Sequence, residues 1–348
     1  MTIKKHFCLL IASAVAFAGG LAASPLAQSE IDKDAKWLAH VDMEGLMNSS
    51  FSEMGVAKLK ELIQENNESS ISIDVDLLLS EIKSITAYGA SFQDDAANES
   101  VIILKTGDRM QAIFDGFIAH QEMEGKETGL ELLDDKPYQS YLLGGELFLA
   151  FPDKNYAIAG KNYDRIERAY RVVEGDGPSL ESAKEPLILN EGAGFFLMFT
   201  ANGIDSLKNM PPQARMLQKT KGGQLSIGEK DGLFRANVIL TTSGREVSLQ
   251  LYRIVQGMVA LASFTQVENQ SMVEVMNGVV VDQGDSFVSV DFSYPVDKLL
   301  SLIGSVMKEA TENHSHGATP PTPPAPPTTS HRGESGDASR TLVVYTNV

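Results

Sequence analysis

Apolar and polar residues alternate along this chain in two distinct rhythms, and the switch between them marks out the elements. Trp37, Ala39 and Val41 share one side of a two-residue period while Leu38 and His40 share the other, which predicts a strand over 37–41. The same period predicts strands over 82–90, 100–104 and 156–159, and a hairpin over 138–151 that turns at Gly144-Gly145. Three-and-four spacing takes over at Met110, Ile113, Phe114, Phe117 and Ile118, and again at Val247, Leu251, Ile254, Val255 and Met258, predicting amphipathic helices near 108–121 and 245–262. Further helices are predicted over 163–173 and 296–307, and further strands over 194–199, 224–228, 233–240 and up to Phe292.

Two of these junctions repeat. Ile103-Leu104-Lys105-Thr106-Gly107-Asp108-Arg109 is matched by Ile239-Leu240-Thr241-Thr242-Ser243-Gly244-Arg245, with Ile, Leu, Thr and Arg identical in place. Tyr163-Asp164-Arg165-Ile166 is answered by Val296-Asp297-Lys298-Leu299, each opening a helix just after a strand. Strands joined by short turns pair antiparallel, so the expectation is an α+β protein of two related halves, each a mainly antiparallel sheet with helices packed on one face. The halves cover 36–180 and 181–310, with the Gly175-Asp176-Gly177-Pro178 stretch leading to the boundary.

The ends of the chain have other compositions. Lys4 and Lys5, an apolar run from Phe7 to Gly20 and the small residues Leu21-Ala22-Ala23 make 1–22 a secretory signal peptide, too short for a membrane span, followed by a flexible mature stretch over 23–35. Export to the periplasm or the extracellular space is therefore expected, with no transmembrane segment after the leader is removed. A Pro/Ser/Gly-rich spacer over 311–340 has too little apolar content to order, and 341–348 is a short β-prone C-terminal segment.

Charge and cysteine usage narrow the chemistry. The formal charge of −17 becomes about −19 once Lys4 and Lys5 leave with the signal, which repels phosphate backbones and argues against nucleic acid. The single cysteine, Cys8, lies inside the leader, so the mature chain has no disulfide, no Cys-ligated metal and no thiol nucleophile.

The opening Lys36-Trp37-Leu38-Ala39-His40-Val41-Asp42, followed by Gly45-Leu46, resembles the mature start of uncharacterised exported bacterial proteins with two related α+β halves. The resemblance spans most of 36–310 and implies the architecture without implying an activity. Read from the residues alone, Asp42 falls where a helix N-cap is wanted, and His40 is a strand residue with a second reading as ligand or base.

The remaining constellations are sparse. A Ser-His-Asp set would need His40 or His120 and has no Gly-x-Ser-x-Gly turn to hold a nucleophile. Thr106-Gly107-Asp108-Arg109 lacks the ending of a phosphate loop; Asp108 with Gln111 and Ser243 with Glu246 read as capping boxes instead. Asp74-Val75-Asp76 and Asp94-Asp95 supply oxygen ligands but do not continue into a calcium loop, and read as solvated turns. No metal and no cofactor is expected. His40, Asp42, Asp74 and Asp76 are the functional candidates. The chain reads as an exported non-enzymatic binding or structural module of the cell envelope, its partner an unknown protein or envelope component; the alternative is a carboxylate-dependent hydrolase acting on an envelope or extracellular polymer, which requires a cleft gathering Asp or Glu pairs.

Overall fold

The structure, a computed structural model, describes residues 26–53, 56–57, 75–92, 96–125, 129–185, 187–189, 192, 194–206, 219–265 and 270–315. The chain divides into two compact units, Met1–Gly304 and Ser305–Val348. Of the expected spacer over 311–340, residues 311–315 are helical instead, the end of a helix that runs Val296–Ser315; 316–348 lie outside the described residues, as do the leader, Asp74 and Asp94-Asp95.

The first unit is built on one antiparallel sheet of 12 strands. In chain order they are β1 (Trp37–Asp42), β2 (Ile82–Gly89), β3 (Ser100–Thr106), β4 (Leu130–Leu133), β5 (Gln139–Leu143), β6 (Leu147–Asp153), β7 (Tyr156–Gly160), β8 (Phe195–Asn202), β9 (Thr220–Lys230), β10 (Leu233–Thr242), β11 (Val279–Gln283) and β12 (Phe287–Pro295). The spatial order β11-β12-β10-β9-β8-β1-β2-β3-β7-β6-β5-β4 puts β1 beside β8 in the middle. The helices are α1 (Met43–Met47), α2 (Val75–Glu81), α3 (Met110–Met123), α4 (Tyr163–Val173), α5 (Arg245–Thr265), α6 (Gln270–Asn277) and α7 (Val296–Ser315).

The pairings leave the centre in the same order on both sides. Val41 faces Ile85, Ile85 faces Leu104 and Leu104 faces Ala157; on the other side Ala201 faces Gly223, Gly223 faces Leu240 and Leu240 faces Val288. Leu104 and Leu240, matched in the sequence, thus hold the same rank from the centre. At the centre itself Leu38 pairs with Thr200, Ala39 with Phe199 and His40 with Met198.

Because directly opposed residues of paired strands point to one side, the register sorts the core into layers. Val41, Ile85, Leu104 and Ala157 face α3, whose Met110, Phe114 and Ile118 pack on them together with Met43 and Leu46 of α1. Leu38, Tyr88, Val101, Ile103 and Ile158 face the other way, against Tyr163, Ile166, Ala169 and Tyr170 of α4. The first half therefore carries helices on both faces. This corrects the expectation of helices on one face only: a strand with apolar residues in both alternating sets needs cover on both sides. Residues 36–180 and 181–310 also share one sheet, a point that the sequence leaves open.

The second face is completed by a stretch that sequence reading leaves loose. Leu26, Ile31 and Ala35 are buried beside α4, Ile31 to 1% exposure, and Leu180 N–H donates to Ile31 O at 2.7 Å. Residues 26–35 and the linker after α4 thus close the core as a pair. The linker begins with a left-handed Gly175 (φ 84°), where Gly175 N–H donates to Val172 O and Asp176 N–H to Arg171 O, a Schellman stop that only glycine adopts without strain. On the far side of the sheet, Leu251 and Val255 of α5 pack on Leu240, Val281, Val288 and Val290 as a smaller core.

Candidate functional site

Of the four candidates, His40, Asp42 and Asp76 lie within the described residues. His40 is buried in β1 beneath the layer that α4 covers in part, and its Nδ1 shares a 2.9 Å hydrogen bond with Thr86 Oγ1 on the neighbouring strand. Asp42 ends the same strand and caps α1 by accepting from Glu44 N–H at 3.1 Å and Gly45 N–H at 3.3 Å, the role its position predicts. Asp76 stands in the first turn of α2, and Asp74 is outside the described residues. Among the described residues no group of three His, Cys, Asp or Glu side chains is placed to hold a metal ion.

His40 belongs to a polar band that sequence reading does not assemble. Its face continues through Thr200, Gln224, Ser226, Asn237 and Asp291, because Thr200 faces Gln224 across the β8–β9 pair and Ser226 faces Asn237, which faces Asp291. Gln224 Nε2 donates to Ser226 Oγ at 2.6 Å and Asn237 Nδ2 to Asp291 Oδ1 at 2.7 Å. These are amides, hydroxyls and one acid tied to an amide.

The place where carboxylates do gather is a shallow crevice lined by Asp32, Asp34, Tyr88, Glu99, Val101 and Arg165. Arg168 forks onto Asp32 and Asp34, with Nη2 donating to Asp32 Oδ1 at 2.7 Å, and Arg165 pairs with Glu99. The three acids are thus engaged by two guanidinium groups, Asp32 and Asp34 sharing Arg168 while Glu99 takes Arg165. Burial pushes the Tyr88 hydroxyl well above its ordinary range, reinforced by the Asp32 charge and only partly offset by the Asp32 backbone and the two arginines.

The Thr106-Gly107-Asp108-Arg109 junction is also structural, in a way its sequence did not announce. Asp108 is not the cap of α3: the N-cap is Arg109, and no side chain caps the helix. Instead Arg109 reaches back to the buried Glu81 at the end of α2, Nε donating to Oε1 at 2.9 Å, while Gly107 N–H donates to Glu81 O at 2.7 Å. A Cβ on Gly107 would collide with Glu81 Oε2. His120, near the end of α3, sits 3.6 Å from Glu124.

What remains is apolar surface. On α5 the buried edge is Ser248, Leu251 and Val255, while Ile254, Met258 and Leu261 are exposed to 36%, 51% and 64%. They recur at four-and-three spacing and so form one stripe, turned aside from the buried edge. That flank also carries Gln250, whose Oε1 accepts from Lys219 Nζ at 3.3 Å at the head of β9, so the stripe looks toward the middle of the sheet. There Phe199 of β8 is 42% exposed on the same face as Ala39 and Leu225. From Ile254 to Thr265 the helix carries no charged residue, in a chain of net charge −17. Single exposed apolar side chains are ordinary, whereas an uncharged stripe of them on an acidic protein is a candidate docking surface. This stripe is the candidate functional site; the helical period at 247–258 is visible in the sequence, but which side of it stays exposed is not.

Known proteins add little to this picture. No family model matches the chain, and no curated protein matches it. Among solved structures, crystal form I of TP0453 is 11% identical, covering 82% of this chain and 99% of its own with a TM-score of 0.42, and crystal form III is 10% identical, covering 81% and 99% with a TM-score of 0.45. No helix among the described residues is long and apolar enough to cross a membrane.

Proposed function

We propose that this chain is an exported, non-enzymatic binding module of the cell envelope that presents the α5 stripe to a partner. The observation that carries the reading is the uncharged stripe of Ile254, Met258 and Leu261 on an otherwise acidic protein. The leader over 1–22 supports export, and the acidic surface disfavours nucleic acid as the partner. A carboxylate-dependent hydrolase finds no support in the crevice, where Asp32, Asp34 and Glu99 are each engaged by arginine.

On this reading the two halves descend from a duplicated unit. The support is the shared order of pairing outward from β1 and β8, and the equal rank of the matched residues Leu104 and Leu240. The start Trp37-Leu38-Ala39-His40-Val41-Asp42 groups the chain with the uncharacterised exported bacterial proteins it resembles.

The test is a photo-crosslinking residue at position 258 in intact cells, with position 131 as an exposed control on the opposite edge of the sheet. A discrete adduct in the exported fraction, formed at 258 and not at 131, is the expected result. Full-length chain retained in the cytoplasm, or no adduct at 258, defeats the proposal.

A further inference from the structure

The stretch just after the expected leader is built into the fold, and its position fixes the order of two events. Residues 26–35 lie on the face of the sheet that α4 covers, where Leu26, Ile31 and Ala35 are buried in one core with Ile166, Ala169 and Tyr170. The linker after α4 holds their backbone: Lys33 N–H donates to Pro178 O at 3.1 Å and Leu180 N–H to Ile31 O at 2.7 Å, on either side of the bridged pair Asp32 and Ser179. Two cations add side-chain ties, Lys105 Nζ donating to Glu30 Oε1 at 2.8 Å and Arg168 Nη2 to Asp32 Oδ1 at 2.7 Å. Residues 26–35 are therefore a strap that closes a core.

Leader removal breaks the bond between Ala22 and Ala23, and only Ala23, Ser24 and Pro25 separate that bond from the buried Leu26. Three residues, even fully extended, reach only about 10 Å. A peptidase has to close around accessible chain on both sides of the bond it cuts, and chain tied down by burial and backbone hydrogen bonds is cut only through its opened state. Resting on the export reading, we propose that the strap is a latch gated by processing: the chain is cut while 26–35 is undocked, and the strap closes over the α4 face once the leader has gone.

The ties divide into weak and strong. Lys105 and Arg168 are partly solvated, so their ion pairs with the strap reopen into water at small cost. Ile31, 1% exposed, is the anchor whose burial holds the latch shut. With the strap undocked, the crevice that Asp32, Asp34 and Ala35 line beside Tyr88 stands open, so the uncut chain has an incomplete core on this face.

The test uses the full-length precursor with Cys8→Ser, Asp32→Cys and Ser179→Cys, refolded in detergent and given purified signal peptidase. The bridged pair is of the antiparallel kind that is not directly hydrogen-bonded, with Cα atoms about 4.5 Å apart and so within disulfide reach. Oxidation locks the strap shut, and cleavage after Ala22 should then be about tenfold slower or more than in the reduced form of the same protein. Ile31→Glu, which opens the strap, should be cut at least as fast as wild type, and its mature form should melt lower. Equal rates in the two redox states, or an Ile31→Glu precursor cut more slowly than wild type, overturns the latch. A disulfide that forms in the mature chain but not in the precursor shows the same order directly; one that forms in neither shows that the strap does not dock, and the latch falls. If the wild-type precursor is not cut at all, the export reading falls as well; if it is cut while the redox states of the variant do not differ, export stands without the latch.

Discussion

Thr106 and Thr242 end their strands in the same way. Thr106 N–H donates to Asn155 O at 2.7 Å, Thr242 N–H donates to Ser286 O at 2.8 Å, and each acceptor is the residue just before the strand that pairs alongside, β7 in one case and β12 in the other. Both side chains are buried. Their hydroxyls differ: Thr242 Oγ1 donates to Gly244 O at 3.2 Å, whereas Thr106 Oγ1 has no hydrogen-bond partner among the described residues.

That difference predicts opposite outcomes for one substitution. Thr106→Val exchanges an unsatisfied buried hydroxyl for a methyl group of the same shape and should stabilise by up to about 1 kcal/mol, while Thr242→Val removes a satisfied hydroxyl and should cost about 1 kcal/mol. Urea unfolding of the two variants measures the sign directly, and equal shifts would contradict the contrast.

The Glu81–Arg109 fork leaves no room for a side chain at Gly107 unless the fork gives way. Gly107→Ala would drive its Cβ into Glu81 Oε2, and Arg109→Gln would leave a carboxylate that is only 6% exposed without its cation. Arg109 itself is well solvated, so the loss should be about 2 kcal/mol rather than the larger figure for a fully buried pair. Gly107→Ala should cost a similar amount, since it must break the same contact. Unfolding midpoints within 0.5 kcal/mol of wild type, a margin typical of surface substitutions, would show that the loop adjusts freely.

Asp42 is an N-cap, and its loss should behave as one. Asp42→Ala removes the acceptor for two backbone N–H groups at the start of α1 and should cost about 1 kcal/mol, while Asp42→Asn, which keeps a capping oxygen, should cost much less. A deficit shared equally by Asn and Ala would instead point to a role for the charge.

Tyr88 gives the fold an alkaline limit. Burial, with Asp32 next in weight, raises its hydroxyl above the ordinary value of 10.0, so the folded state holds the proton more tightly than the unfolded chain does. A raised folded value contributes stability that is complete below the unfolded value and is lost as pH rises from there toward the folded one. Stability should therefore fall above about pH 10, where free tyrosine ionises. Tyr88→Phe should flatten that decline and leave stability near pH 7 little changed. Parallel curves for wild type and variant between pH 9 and pH 11.5, the range around the ordinary tyrosine value, would remove Tyr88 as the cause.

The local pattern determined the elements wherever a period ran long enough to be unambiguous. α4, the β5–β6 hairpin with positive φ at Gly144 and Gly145, and the cap at Asp42 all stand where their residues put them. Shorter or less periodic pieces, β4 over Leu130–Leu133 and α6 over Gln270–Asn277, were not legible, because a single turn of either pattern fits loop as well as element. Tertiary structure alone decided that the halves share one sheet, since the β1–β8 pairing joins residues some 160 positions apart that carry no local mark of each other. It also decided the fate of the charged residues. Glu81 meets Arg109, and Asp32 and Asp34 meet Arg168, only after the sheet has folded, and so these three acids became part of the scaffold. The stripe on α5 follows the same logic: its helical period is written in the sequence, but the face left open is set by which side Leu240, Val281 and Val288 were placed to cover.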